Sequence, residues 1–345
     1  MRDNIKNLIA TSFEFIRLPY LRLKKLKDKL LVLTYHGVMP EKYIEKDHNY
    51  YAYRNVVSVE HFSQQVKFLK DHFHVVSLDE LESEYLLKSN KPKVLITFDD
   101  GFQNNYQYAF PVLAENHIPG HFFVTTGFIE DKKLLWTDQV TYLLLNTKRR
   151  EFYLPDFFPQ KLELNSVEQR INASLVIRGE LKKLTFERLK EVLHKLNEMF
   201  DDVDLSQANP VRYRFMNWSE IKQMANEGMI IGSHTHNHAL INVSDEVFFE
   251  KELNMSIEYL KKKANINCAY LAYPNGTIND YQIQLFPLLK KLGFKYALTQ
   301  IPEWNTLEHI RNHPYELYRL NIPNLAGVNF FKAYITKLWF RRAYD

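Results

Sequence analysis

The chain has 345 residues, 45 Lys+Arg against 41 Asp+Glu, 46% apolar residues and a formal charge of +4. Such a composition excludes a disordered chain, and the near balance of charge gives no footing for a nucleic-acid partner. A single cysteine, Cys268, excludes an intrachain disulfide framework and a multi-thiolate zinc site, so any metal must be held by nitrogen and oxygen.

Residues 1–29 form a basic amphipathic segment in which Arg2, Lys6, Arg17, Arg22, Lys24, Lys25, Lys27 and Lys29 alternate with Leu8, Ile9, Phe13, Ile16 and Leu21. This segment has neither an apolar run long enough to span a bilayer nor a signal-type cleavage site, and the expected compartment is the cytoplasm. Residues 326–345 repeat the pattern, with Phe330, Phe331, Tyr334 and Trp339 beside Lys332, Lys337, Arg341 and Arg342. Both ends could rest peripherally on the inner face of an anionic membrane, or pack on the body of the protein with their charges in water.

Between them, short apolar runs alternate with helical patterns. Strands are expected at 30–37, 94–98, 121–126, 229–233, 268–273, 296–300 and 317–322. Ser58 can cap the helix that follows it, while Ser77 with Glu80 and Asn217 with Glu220 have capping-box spacing. Phe249, Leu253, Ile257 and Leu260 recur at helical spacing. Seven βα units suggest an α/β barrel in preference to a doubly wound sheet. About 139–216 break the rhythm with a Pro-containing patch and an amphipathic helix from Thr185, which reads as an insertion in a barrel spanning 30–325.

Four strand ends carry chemistry. Thr97-Phe98-Asp99-Asp100-Gly101 ends an apolar strand in two carboxylates, the place where barrel enzymes put catalytic groups, although an Asp-Asp-Gly turn needs no function. Adjacent residues on an extended strand point to opposite sides, so the two carboxylates suit different jobs. In Gly232-Ser233-His234-Thr235-His236-Asn237-His238, two imidazoles four residues apart on a helical turn could chelate one ion. Spacing alone is weak, because His117/His121 and His309/His313 share it. Only His234 and His238 follow a strand, and Pro119-Gly120 separates the first of the other pairs, which are expected to pack or lie on the surface. Tyr273-Pro274-Asn275-Gly276 is a turn that can also aim a backbone N–H into the mouth, and Tyr35-His36-Gly37 puts a histidine at the same rim.

Together LITFDDGF, GSHTHNH, AYPNG and LTYHGV, which occur along the chain in the family's order, resemble the polysaccharide deacetylases of carbohydrate esterase family 4, the NodB-homology group. The resemblance runs from about Leu31 to Pro323. It implies a distorted (β/α)7 barrel and metal-dependent removal of N-acetyl groups from amino sugars. It further implies Asp99 as general base, Asp100, His234 and His238 as metal ligands, His36 as general acid and Asn275 as the N–H donor to the oxyanion. A divalent ion is expected, Zn2+ first, with Co2+ or Ni2+ as alternatives. Two departures stand out: Ala272 falls where many members carry an Arg that orients the base, and YRLNIPN lacks a late histidine. Arg319 is the expected substitute for the missing Arg.

Trp136 and Asp138 suit a sugar-stacking platform and a hydroxyl acceptor, and with Tyr273 and Arg319 they complete the residues expected near substrate. The implied substrate is a glycan containing N-acetylhexosamine, polymeric or lipid-linked, in envelope or exopolysaccharide assembly. The alternatives are a carbohydrate-binding relic of the same fold and a deformylase of a lipid-linked amino sugar. A glycosidase is disfavoured, because its two carboxylates must face each other across a bond.

Overall fold

The computed structural model describes residues 11–12, 17–44, 53–83, 89–130, 133–240, 245–324 and 327–337. Parallel strands β1 (Lys29–Tyr35), β5 (Lys93–Phe98), β6 (Gly120–Val124), β9 (Ile230–Ser233), β10 (Tyr270–Ala272), β11 (Tyr296–Leu298) and β13 (Leu320–Asn321) realise the seven apolar runs of the sequence. Their order is β11-β10-β9-β6-β5-β1, and β13 lies on the free side of β1, with Leu33 opposite Leu320. One bridge between Leu298 and Leu317, reinforced by Leu317 N–H to Ala297 O at 3.0 Å, brings the two edges together. The sheet therefore curls into a distorted seven-strand barrel whose seam lies between β11 and β13.

Alternation along the strands divides the core. Leu30, Val32, Leu95, Phe123, Ala272 and Leu298 belong to one buried cluster, while Leu31, Leu33, Val94, Ile96, Phe122 and Ala297 belong to another, shared with helix residues such as Phe62, Leu69, Leu113, Met224 and Leu253. One set fills the barrel and the other lies beneath the helices, so strands such as β5 are buried along their whole length. The helices start where their caps indicate. Ser58 accepts from His61 N–H ahead of α2 (Val59–His72), and Asn217 with Glu220 forms a full capping box on α8 (Trp218–Asn226). Ser77 with Glu80 also forms a capping box, but on a single 3₁₀ turn, Leu78–Glu80.

Shorter strands extend the sheet or stand outside it, and the periodicity of the sequence gave no warning of them. Parallel β2 (Gly37–Met39) and β3 (Val56–Ser58) pair beside the barrel mouth, β4 (His74–Val75) adds to β5, and β12 (Asn305–Thr306) runs antiparallel to the start of β1. Runs of two or three residues leave no recognisable alternation.

The interrupting segment has a core of its own. It contains α4 (Trp136–Asn146), the hairpin of β7 (Glu151–Leu154) and β8 (Phe158–Glu163), α5 (Val167–Leu181), α6 (Phe186–Met199) and α7 (Pro210–Tyr213). Trp136, Leu143, Phe152, Ile177, Val192, Leu196 and Phe200 form a cluster separate from the barrel. Its return segment is tied to the turn after β5: Met216 N–H donates to Gly101 O at 3.0 Å, Gln103 N–H to Arg214 O at 2.7 Å, and Phe102 bridges Phe215.

Toward the two ends, part of the described chain is packed, while Leu21 stays 55% exposed. Pro19 and Leu23 of α1 (Leu18–Lys25) are buried, and Phe331 of α12 (Gly327–Ile335) sits edge-on to Phe68 at 6.3 Å. Phe330, Phe331 and Tyr334 are thus core residues and not a membrane-facing surface. Arg2, Lys6, Leu8, Ile9, Phe13, Ile16, Trp339, Arg341 and Arg342 lie outside the described residues. No helix among the described residues is long and apolar enough to cross a membrane.

Gly232 marks the tightest point between neighbouring strands: a Cβ there would lie 2.6 Å from the Phe123 ring and 2.9 Å from Tyr270 O. Gly232→Ala is expected to destabilise the barrel by about 1–3 kcal/mol, read from urea unfolding. A change within about 0.5 kcal/mol, the range of surface substitutions, would show that the strands have room to spread.

Candidate active site

The site forms where β1, β5, β6 and β9 end together. Asp99 N–H donates to Tyr35 O at 3.0 Å, Thr125 N–H to Asp100 O at 3.3 Å and His234 N–H to Val124 O at 2.9 Å. Four strand ends distant in sequence are thereby joined by backbone hydrogen bonds.

Arg319 enters from the run leading into β13 and meets Asp99 with both forks, Nη1 to Oδ1 at 2.7 Å and Nη2 to Oδ2 at 2.8 Å. Its Nη1 also reaches Thr97 Oγ1 at 3.2 Å, and its Nε donates to Thr299 O at 2.7 Å. Arg319 is 0% exposed and Asp99 2% exposed. Burial pushes the Asp99 carboxyl toward neutrality, but Arg319, with His234 nearby, holds its pKa below the ordinary value. Gln300 Nε2 lies 3.3 Å from Asp99 Oδ2.

Asp100 turns the other way because its backbone is left-handed, at φ 75, and Gly101 follows at φ 89. Strand alternation does not separate the two carboxylates; this turn does. Asp100 Oδ1 lies 3.5 Å from His234 Nε2 and 3.6 Å from His238 Nε2, and one ligand atom from each of the three residues falls within 4.8 Å of the others. The histidines converge without a helical turn: Thr235 at φ 64 and His238 at φ 53 fold the loop back. A β-branched residue there costs roughly 1–3 kcal/mol, so the surrounding contacts must hold it.

His234 Nδ1 lies 2.8 Å from Ala272 O. A carbonyl accepts only, so this nitrogen carries the proton and Nε2 presents a lone pair to Asp100. Burial disfavours charge on His234, yet Asp99 and Asp100 lift its pKa above the ordinary value. Burial and the neighbouring His234 instead lower His238 to about 3, with Asp100 opposing. A carboxylate facing imidazole lone pairs, with positions left open, is a donor set that fits a catalytic divalent cation. Ala272, where an orienting Arg was missed in the sequence, supplies the carbonyl that fixes the ligand tautomer.

His36 stands at the same rim, coupled electrostatically to Asp100 and Asp99, with Nδ1 buried and no partner. Burial lowers its pKa and the two carboxylates oppose this. Asn275 is left-handed at φ 59 in the turn after β10, with a buried, unpartnered Nδ2.

The residues expected near substrate fare differently. Arg319 clamps Asp99 and is sealed from solvent. Tyr273 is 1% exposed and donates its hydroxyl to Tyr315 O at 3.0 Å, which makes it a packing residue. Trp136 is 4% exposed within the core of the insertion, so its ring offers no open stacking face. Asp138 keeps a 19% exposed side chain, 3.6 Å from Arg212, and feels the Asp100 charge. Nothing in the sequence pointed to Arg212; Gln300 lies two residues past β11 and could have been found by the rule that picked out Asp99. Of the other two spaced pairs, His121 is fully buried between Ile96 O and Leu78 N–H and His309 stacks on Tyr318, while His117 and His313 are exposed.

A family model described as polysaccharide deacetylase matches residues 87–153 and 182–297, passing over the whole of β8 and α5. A curated poly-beta-1,6-N-acetyl-D-glucosamine N-deacetylase of Staphylococcus aureus is 25% identical over 289 residues, covering 81% of this chain and 75% of that protein. Its namesake from Staphylococcus epidermidis is 28% identical over 227 residues, covering 61% of this chain and 74% of that protein. Among solved structures, the Streptococcus pyogenes deacetylase PplD in complex with acetate superposes with a TM-score of 0.56 at 18% identity, covering 89% of this chain and 98% of its own. IcaB from Ammonifex degensii superposes at 0.54 and 19%, covering 90% and 97%. At these identities the solved structures speak for the fold.

The buried Arg319–Asp99 pair makes a stability prediction independent of catalysis. Arg319→Leu leaves an unpaired buried carboxylate and is expected to cost about 3–5 kcal/mol in denaturant unfolding at neutral pH. Adding Asp99→Asn is expected to recover most of that loss; equal instability of the single and double variants would deny the coupling.

Proposed function

The chain belongs to the polysaccharide deacetylase family and is a deacetylating hydrolase; from that premise we propose that it removes N-acetyl groups from the amino sugars of a glycan, with a divalent cation at Asp100, His234 and His238. The observation that carries this reading is the convergence of those three side chains beside a carboxylate clamped by arginine. The nitrogen and oxygen donors suit Zn2+, and also Co2+ or Ni2+. Such an ion lowers the pKa of a water and polarises the acetyl carbonyl.

The protein side chains divide the remaining work. Asp99, kept ionised by Arg319, accepts the proton of the attacking water. Asn275 presents its backbone N–H to the oxyanion, a type of contact whose loss typically costs about 10²–10³ in rate. His36 passes a proton to the nitrogen as the C–N bond breaks. Burial lowers the His36 pKa, so the ring has to take up a proton before it can act as acid, and the one proton that Asp99 accepts from water balances the one the amine gains.

The names of the curated relatives favour an N-acetylglucosamine polymer as substrate. Nothing in the geometry favours a lipid-linked sugar or a formyl group.

The test is amine release from acetylated glucosamine oligomers by metal-stripped protein reloaded with defined ions. Expected are about one ion per chain and metal-dependent release of acetate and amine. Asp99→Asn is expected to lower turnover by at least about 10³ while the ion stays bound. His36→Gln is expected to lower it by about 10²–10⁴. Stoichiometric metal with no amine release from any acetylated hexosamine would leave a carbohydrate-binding relic. Undiminished turnover by Asp99→Asn would refute its role as base.

A further inference from the structure

The loop that carries both histidine ligands is held from behind by one helix, α9 (Glu246–Ala264). Glu252 and Ser256 lie four residues apart on it, so they share a face, and both are sealed from solvent, at 2% and 0% exposure. Among the described residues Glu252 has no lysine or arginine within ion-pair distance; both its oxygens are spent on one residue. Its Oε2 accepts the Asn237 backbone N–H at 2.8 Å and its Oε1 the Asn237 side-chain amide at 2.6 Å. Ser256 Oγ lies 2.7 Å from Ser233 Oγ, which in turn accepts Thr235 N–H at 3.1 Å. The helix thus grips the loop just before His234 and just before His238.

That grip falls where the backbone is least able to hold itself. Thr235 and His238 both have positive φ, in a region that a threonine and a histidine adopt only under constraint. Thr126 N–H to Thr235 O at 3.3 Å and Gly127 N–H to His236 O at 2.8 Å fasten the other side of the loop to the end of β6. His238 has no second hydrogen bond of its own: its Nδ1 is buried without a partner, whereas His234 is fixed through Ala272 O. An imidazole ligand is normally oriented through its second ring nitrogen. His238 lacks that device, so its aim depends on the backbone next to it.

We propose that Glu252 is a positioning residue for the metal site: by clamping Asn237 it supplies, through the main chain, the orientation that His238 does not receive through its ring. Ser256 does the lesser share of the same task at Ser233. This rests on the reading of Asp100, His234 and His238 as cation ligands, and its test separates the two.

Metal-stripped full-length protein is titrated with Zn2+ against a chelating dye, and melting is followed alongside. Glu252→Leu, similar in volume and without an acceptor, is expected to weaken Zn2+ binding by about 10–100-fold while still melting cooperatively. Glu252→Gln is expected to stay within about threefold of the parent, because its carbonyl accepts the Asn237 N–H and the Asn237 amide flips to accept in turn. A merely structural glutamate would give no such split in Zn2+ affinity between the two variants. Should Glu252→Leu fail to fold, Asn237→Ala at its partly exposed position decides: a loss of about threefold or more supports the clamp. Parent-like affinity in Glu252→Leu, or in Asn237→Ala where that variant decides, overturns it. If the parent chain itself binds no Zn2+, Co2+ or Ni2+, the reading of the ligands has failed, and the clamp with it. If the parent binds and the variants do too, the clamp alone has failed.

Discussion

The whole site leans on a buried ion pair. Arg319 brings a permanent charge into the barrel, and such a charge is tolerable only when every donor is answered. Asp99 takes two, Thr97 shares one and the Thr299 carbonyl takes another. The arrangement keeps a carboxylate ionised where burial alone would neutralise it, and it fixes the plane of that carboxylate by bidentate geometry. Asp99 cannot swing toward the histidines, so Asp100 is left to face them.

The second constraint is conformational. Asp100, Thr235, His238 and Asn275 all sit in the left-handed region, and all four are at strand ends on the same rim. Regular strands cannot direct neighbouring side chains at a common point, because alternate residues diverge. The barrel solves this by turning the chain within a few residues after each strand and holding the turn with hydrogen bonds from adjacent loops and from Glu252. Strain collects where side chains must converge and is absorbed by the packed elements beneath.

Much of this was legible in the sequence, and the pattern of failure is physical. Apolar runs of five or six residues gave the strands, and side-chain capping gave helix starts, because both signals are local. The clustering of Asp99, Asp100, His234 and His238 at one rim was reached through strand ends and through the family motifs. Burial was harder to read: Tyr273 and Trp136 look like sugar contacts by residue type, but their rings pack inside. Arg319 was expected to stand in for a missing orienting arginine and also to lie near substrate; its sealed position leaves only the first. Glu252, Ser256 and Arg212 left no trace, since a buried carboxylate on a helix reads like any exposed one until the facing loop is known.

The barrel seam has a consequence for when the protein becomes competent. Asp99 is synthesised early, yet its charge depends on an arginine from almost the last strand, across a junction made by a single bridge and a two-residue pairing. A chain still emerging from the ribosome, or one trimmed before position 319, carries an unpoised carboxylate however well its other strands have assembled. The Asp99 carboxylate is therefore held in its plane only once Arg319 has docked across the seam.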